Sequence, residues 1–249
     1  MRLSRIHTDQ RLSPGALVDL AGAAVSYLTR VLRLAPGAPL ILFDGNGGEY
    51  AAIFESATRE RVRCRVGSFS AVERESALRI TVLQGIARGD RMDTIVQKCT
   101  ELGVARIVPI ASERSVVRVS QEAGERKRVH WRGVAISACE QCGRNRIPDL
   151  DAPLAIDVAL AGARSHARRV MLDPEAPRTL TERASALEPD ENLALLVGPE
   201  GGLSDSERAL AEHAGFEPCS LGPRVLRTET AALAALSVLQ ALAGDFRRA

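Results

Sequence analysis

Aromatic side chains are scarce: 249 residues include one Trp, two Tyr and five Phe. That argues against a surface of stacking platforms for flexible single strands, where successive bases rest on rings. It leaves the core to Leu, Val, Ile and Ala. No apolar run approaches the ~20 residues that cross a bilayer; the richest, 231–239, is short and broken by Ser237. The opening Met1-Arg2-Leu3-Ser4-Arg5 leads into no apolar segment, so no secretory leader and no membrane association are expected, and a cytoplasmic location is the default. Lysine is almost absent, at two of 33 basic residues. Arginine is the better bidentate phosphate ligand, but base composition of the genome can produce the same bias. The four histidines (His7, His130, His166, His213) show neither triad nor metal spacing. Cysteines are few, odd in number and dispersed (Cys64, Cys99, Cys139, Cys142, Cys219), which argues against a disulfide framework. Cys139 and Cys142 form one CxxC without two further ligands, so buried or incidental thiols are expected rather than redox or metal chemistry.

What is present is ordinary for a soluble globular chain: 45% hydrophobic and 26% charged residues. The length suits two modest domains or one large one. Net charge is +2 but uneven. Residues 1–72 hold nine Arg against six acids, and the remainder twenty-four basic against twenty-five acidic residues.

Segments 16–20, 39–43, 49–54 and 61–69 read as strands, with Asp44-Gly45-Asn46-Gly47-Gly48 as a turn. A helix-like pattern at 22–33 places Val25, Leu28, Val31 and Leu32 on one face. Strict alternation at 61–66 sets Val62, Cys64 and Val66 opposite Arg61, Arg63 and Arg65. This is either an edge strand blunted by charge or a phosphate-facing strip. A small barrel fits 1–72. Glu73-Arg74-Glu75-Ser76 marks a boundary, and 73–249 forms a second domain. There, strands at 79–87, 106–110, 168–172, 193–197 and 216–221 alternate with helices at 90–102, 122–142, 205–214 and 230–243. That order indicates an α/β fold with a mostly parallel sheet. Asp90 is a candidate N-cap, Gly103 and Gly143 end helices, and Ala-rich 152–164 reads as a surface helix.

No GxGxxG follows a strand, no GxxxxGK[ST] exists, and the acidic-Gly-x-Gly-x-Gly nucleotide loop is missing. The informative loops lie near the carboxyl end. An apolar strand runs into Gly198-Pro199-Glu200-Gly201-Gly202, then into a helix that Ser204 and Glu207 can cap as a capping box. A second strand end enters Leu221-Gly222-Pro223-Arg224-Val225-Leu226-Arg227-Thr228-Glu229-Thr230, where Thr228 or Thr230 can cap the next helix. Ligands gather beyond the carboxyl ends of parallel strands, and glycines there admit close backbone approach.

These two loops, in this order, resemble the SPOUT methyltransferases and, more narrowly, the RsmE group, which methylates N3 of a uridine in 16S ribosomal RNA. Gln97-Lys98-Cys99-Thr100-Glu101-Leu102-Gly103-Val104, Ser112-Glu113-Arg114-Ser115, Glu140-Gln141-Cys142-Gly143-Arg144 and Val31-Leu32-Arg33 agree with it. Cys142 departs, where a small residue such as Ser is expected. The resemblance spans essentially the whole chain. It implies a PUA-like β-barrel for RNA binding, then a SPOUT domain with a C-terminal trefoil knot. It also implies S-adenosylmethionine as cofactor, a homodimer, no metal, and 16S rRNA within the small ribosomal subunit as partner, with position 1498 as the target. Leu172, Gly198, Pro199, Glu200, Gly201, Gly202, Leu221, Gly222, Val225, Leu226 and Arg227 carry over as cofactor-binding.

The acceptor N3 must lose a proton, so Arg227 is the first candidate to favour the uridine anion. Glu229 either takes the proton, fixes Arg227 through a charge-assisted bond, or is only an acid at a helix N-terminus. Arg61, Arg63, Arg65, Arg114, Arg118, Arg144 and Arg146 are candidate RNA contacts. Two alternatives stay open: a SPOUT enzyme methylating a ribose 2′-hydroxyl, and a non-catalytic RNA-binding assembly factor.

Overall fold

The computed structural model describes residues 3–114, 121–185, 187–188 and 190–247. They fall into two units, one of residues 1–74 with 139–147, the other of 75–138 with 148–249.

In the first unit, β1 (Arg5–His7), β2 (Leu17–Ala21), β3 (Pro39–Phe43), β4 (Glu49–Ala57) and β5 (Arg61–Ser70) form a sheet ordered β1-β3-β4-β5-β2. Strand β1 is parallel to β3, and the other neighbours are antiparallel. The alternation in β5 buries Val62, Cys64 and Val66 with Leu40, Leu42 and Phe54. Helix α1 (Ala23–Ser26) continues into one π-helical turn (Tyr27–Val31), adding Val25 and Leu28 to that core. Strand β5 lies between β4 and β2, so it is an interior strand and not the edge strand that its charge suggested. Its three arginines point outward. Arg63 grips Asp19 through two bonds of 2.8 and 2.9 Å, and Arg65 Nε donates to Glu55 at 2.6 Å. The Arg63 hydrogen bond, helped by the charges of Arg63 and Arg61 and opposed by desolvation, holds the Asp19 carboxyl below its ordinary value.

Strand β1 escaped the sequence reading because three residues show no period. It carries Arg5, buried, whose guanidinium pairs with Glu49 and donates to the Arg144 carbonyl at 3.1 Å and to Asn145 Oδ1 at 2.5 Å. Asn145 Nδ2 in turn donates to the Val72 carbonyl at 2.7 Å. Arg144 is buried, at 4% exposure. This corrects its assignment as an RNA contact, because a phosphate cannot reach a side chain packed inside the fold. Arg146 stays exposed, 3.5 Å from Glu73.

The second unit contains β6 (Arg79–Gly85), α2 (Arg91–Glu101), β7 (Arg106–Ala111), α3 (Gln121–Cys142, whose last turn groups with the first unit), β8 (Asp149–Leu150) and β9 (Leu154–Ala155). There follow α4 (Ile156–Gly162), β10 (Arg168–Leu172), α5 (Leu180–Ala184), β11 (Asn192–Val197), α6 (Asp205–His213), β12 (Glu217–Cys219) and α7 (Thr228–Ala243). The sheet order is β12-β10-β11-β6-β7-β8, with β9 also on β7, and every pairing is parallel. Helix α6 has the expected capping box from Ser204 and Glu207. Helix α2 ends in a Schellman turn at Gly103 (φ 81), with Val104 N bonded to the Cys99 carbonyl. Asp90 occupies the N-cap position of α2 but makes no capping bond through its side chain. Helix α7 starts at Thr228 and not at Thr230, and Arg227 precedes it without a side-chain cap. Helix α4 buries Ala159 and Leu160, and the next turn Ala163, so this stretch belongs to the core. Helix α5, unforeseen, is five residues held by a Thr179–Glu182 capping box. Among the described residues no helix is long and apolar enough to cross a membrane.

His166 follows α4, with both ring nitrogens within hydrogen-bond distance of a partner. One nitrogen lies 3.1 Å from the Ala163 carbonyl and the other 3.0 Å from Thr81 Oγ. Burial first, then the charges of Arg106 and Arg169, outweigh the backbone bond and hold it below its ordinary 6.5. A histidine with a lowered folded pKa binds fewer protons than it does unfolded, so folding stability falls as pH drops below 6.5. His166→Gln is expected to flatten the fall in stability between about pH 5 and 7, read by denaturant titration.

Candidate active site

Strands β10, β11 and β12 run in one direction, so their ends at Leu172, Val197 and Cys219 open on the same side of the sheet. The chain leaves β6 toward β7 on one flank and β11 toward β12 on the other. Strand order therefore reverses between β6 and β11, where parallel sheets gather ligands. A cavity of about 670 Å³ lies at these ends, within the ~300–1,000 Å³ of small-molecule sites.

Two loops make its walls. In the first, residues 198–202, a Cβ on Gly198 would stand 3.1 Å from Leu203 N, and Gly202 turns at φ 69. Pro199 N sits against the last residue of β6, Gly85, where a Cβ would approach to 2.4 Å. The second loop, 221–227, leads into α7. Thr228 ties the two together: its hydroxyl donates to the Gly198 carbonyl at 2.6 Å and accepts from Gln84 Nε2 at 2.9 Å. Thr228→Val keeps the shape and leaves buried partners unsatisfied, which costs ~1–3 kcal/mol. A drop of several degrees in thermal midpoint, without loss of helix by circular dichroism, is the expected reading.

Most of the residues singled out in the sequence meet here. Leu172, Gly198, Pro199, Glu200, Gly201, Gly202, Leu221, Val225, Leu226, Arg227 and Glu229 all line the cavity. Gly222 does not; at φ 92 it turns the loop that does. Arg114 lines it too and donates to the Gly201 carbonyl at 3.0 Å. Arg118 lies outside the described residues, and Arg61, Arg63, Arg65 and Arg146 belong to the first unit. None of the four histidines lines the cavity. Among the described residues no group of three or more His, Cys, Asp or Glu could hold a metal.

The charged groups are arranged differently from the sequence expectation. Glu229 is not bonded to Arg227; its Oε1 lies 3.8 Å from Arg91 Nε, and its Oε2 is buried with no hydrogen-bond partner among the described residues. Arg227 is exposed, and its side chain makes no hydrogen bond or ion pair among the described residues. Glu200 Oε1 accepts from Arg88 N at 2.9 Å and from Arg91 Nη1 at 2.7 Å. Burial would push the Glu200 carboxyl up, but the backbone N–H groups of Arg88 and Glu200 and the Arg91 guanidinium outweigh it and hold it below its ordinary value. Arg91, Asp173, Cys219 and Arg208 also line the cavity without any local signal in the sequence. The Cys219 thiol is pushed up to about 12, chiefly by burial, and is no nucleophile.

The apolar wall (Leu172, Val197, Leu221, Leu226), the close backbone of the glycine loops and an unsatisfied carboxylate oxygen suit a small, partly apolar ligand that carries a hydrogen-bond donor or a positive charge. Comparison with known proteins agrees in kind. An RNA methyltransferase domain model matches residues 74–240, and an RNA methyltransferase PUA domain model matches residues 20–67. The ribosomal RNA small subunit methyltransferase E of Bacillus subtilis (strain 168) is 30% identical over 238 residues, 93% of each chain. The crystal structure of the enzyme of that name from Neisseria gonorrhoeae, bound to S-adenosyl methionine, is 36% identical with a TM-score of 0.88 over 98% of this chain and 100% of that one. A putative methyltransferase from Legionella pneumophila, in complex with the bound cofactor SAM, is 42% identical with a TM-score of 0.93 over 98% and 100%. With both models matched in order and relatives aligned over nearly its full length, the chain belongs to the ribosomal RNA small subunit methyltransferase E family of RNA methyltransferases.

Proposed function

We propose that this protein transfers the methyl group of S-adenosylmethionine to N3 of a uridine in 16S ribosomal RNA, at position 1498, acting on the small ribosomal subunit in the cytoplasm. One observation carries the reading: two glycine loops and an unpaired arginine line the same cavity at the carboxyl ends of a parallel sheet. In this reading 73–249 is the methyl-transfer domain, its last segments threaded as a trefoil knot, and 1–72 is the RNA-binding domain. Two copies act as a homodimer.

The residues present fit the cofactor. The buried Glu229 Oε2 lacks a partner, which costs ~1–3 kcal/mol until a donor or cation meets it. All five residues of loop 198–202 line the cavity, three of them glycines that let a ligand approach the backbone closely. When bound, S-adenosylmethionine supplies an activated methyl on a sulfonium. The protein's residues do the rest. Leu172, Leu221 and Leu226 exclude water from the reacting atoms. Arg227 stabilises negative charge on the uracil ring as the N3–H bond breaks. Glu229 takes that proton, and the N3 lone pair forms the new bond to carbon as the sulfur–carbon bond breaks. Arg114, with Arg61, Arg63, Arg65 and Arg146, contacts phosphates and sets orientation, not sequence.

The test is incubation with labelled cofactor and small subunits lacking the modification, then mass spectrometry of the nucleosides. Label in N3-methyluridine is expected. Label on a ribose 2′-oxygen, or cofactor that never binds, overturns the proposal in favour of the ribose enzyme or the assembly factor.

A further inference from the structure

Arg91, the first residue of α2, bridges the two sides of the cavity. Its Nη1 donates to Glu200 Oε1 at 2.7 Å, in the first glycine loop. Its Nε lies 3.8 Å from Glu229 Oε1, in the first turn of α7 beyond the second loop. Arg88 N, three residues earlier, donates to the same Glu200 oxygen at 2.9 Å. The chain between β6 and the start of α2 therefore holds the first loop through the Arg88 backbone bond, and the Arg91 guanidinium faces both that loop and the first turn of α7. Two carboxylates set beside one cation repel each other once it is removed. A lysine ammonium is a compact point charge on a flexible stem and lacks the rigid fork needed to hold both partners in fixed geometry.

We propose that Arg91 is a positioning residue that fixes Glu200 and Glu229 relative to one another, so that the cofactor loop and the proton-accepting carboxylate are set as one piece. This rests on the reading that the cavity holds S-adenosylmethionine and that Glu229 takes the proton. Arg91 acts through these two partners; it is not assigned a contact with the reacting atoms.

Two measurements on the full chain separate this from a general structural role. The first is calorimetry with S-adenosylmethionine alone, without RNA, on wild type, Arg91→Gln, Arg91→Lys, Glu200→Gln and the Arg91→Gln/Glu200→Gln double variant. Residues acting through one contact are non-additive. Arg91→Gln and Glu200→Gln are each expected to weaken binding roughly tenfold, and the double variant no more than about twofold further. Losses that multiply, or wild-type affinity in Arg91→Gln, overturn the proposal. The second is single-turnover methyl transfer at saturating cofactor. Arg91→Gln is expected to lower the rate ~10–100-fold while the RNA concentration at half-maximal rate stays within about twofold, and Arg91→Lys to recover part of it. An unchanged rate overturns it, and so does a Lys variant no better than Gln. If Arg91→Gln misfolds by circular dichroism, the Lys and Glu200 variants still complete the comparison. Wild type that does not bind the cofactor defeats the functional reading itself; wild type that binds, with Arg91→Gln binding equally well, defeats only the role given to Arg91.

Discussion

Gly85→Ala is expected to weaken S-adenosylmethionine binding by at least about tenfold and to lower the thermal midpoint by ~5 °C, although it adds one methyl group at a buried strand end. The new Cβ would stand 2.4 Å from Pro199 N, 2.5 Å from Pro199 Cδ and 2.9 Å from the Gly198 carbonyl carbon. Two of the three are backbone atoms, so no flexible side chain can swing aside. Either β6 or the first glycine loop must move. The loop is the softer of the two, because β6 is paired along its length with β11 and β7. Overpacking of this kind costs ~1–3 kcal/mol, and each kcal/mol lowers the midpoint of a domain this size by ~2–4 °C. Affinity suffers separately, because the displaced atoms form a cavity wall. Gly133→Ala is the control. It lies exposed within α3 with nothing near its added methyl, and it should gain ~0.5–1 kcal/mol from helix propensity. Scanning calorimetry with and without cofactor reads both effects. Wild-type affinity in Gly85→Ala would show that the first loop does not hold the ligand.

Gly85 also shows where sequence reasoning stops. Loop 198–202 is visible as three glycines after an apolar strand, but nothing local says that Gly85, over a hundred positions earlier, must be bare for that loop to fit. The same limit explains Arg91. Its neighbours read as a helix start, and its two partners are brought to it only by the sheet order. Segments with a full period or a bounded apolar run are legible: α2, α6, β10 and the alternating β5 are found to within a residue or so of their observed limits. Strands of two or three residues, such as β1, β8 and β9, and the single helical turn of α5 carry too few positions to show a period. Alternation assigned the two faces of β5 correctly, but it holds no information on neighbours, so an interior strand passed for an edge. Arg144 misled for a related reason. It follows a helix end beside Arg146, as a phosphate ligand would, and its burial in the fold has no local signal in the sequence. The resemblance to a family, not periodicity, joined the two glycine loops into one site.

Arg227→Ala should be the most damaging change that leaves the fold intact. Arg227 is exposed, precedes α7 without capping it through its side chain, and its guanidinium makes no bond or ion pair among the described residues. Truncation of such a residue costs within about 0.5 kcal/mol of stability, so the thermal midpoint should hardly move. Its effect should fall on the chemical step. Uracil N3 keeps its proton at neutral pH, and the ring anion forms only where a fixed positive charge meets it as it develops. A preorganised group of this kind is worth roughly 10²–10³ in turnover. The single-turnover rate at saturating cofactor is therefore expected to fall by about that factor, while cofactor affinity by calorimetry stays within about threefold. Rising pH should restore part of the loss, because a more basic medium supplies the uridine anion that Arg227 no longer stabilises. Arg227→Lys should lie between the two, keeping the charge but not the planar fork. Equal losses in affinity and turnover would instead assign Arg227 to holding the cofactor and leave the anion to another of the cavity's arginines.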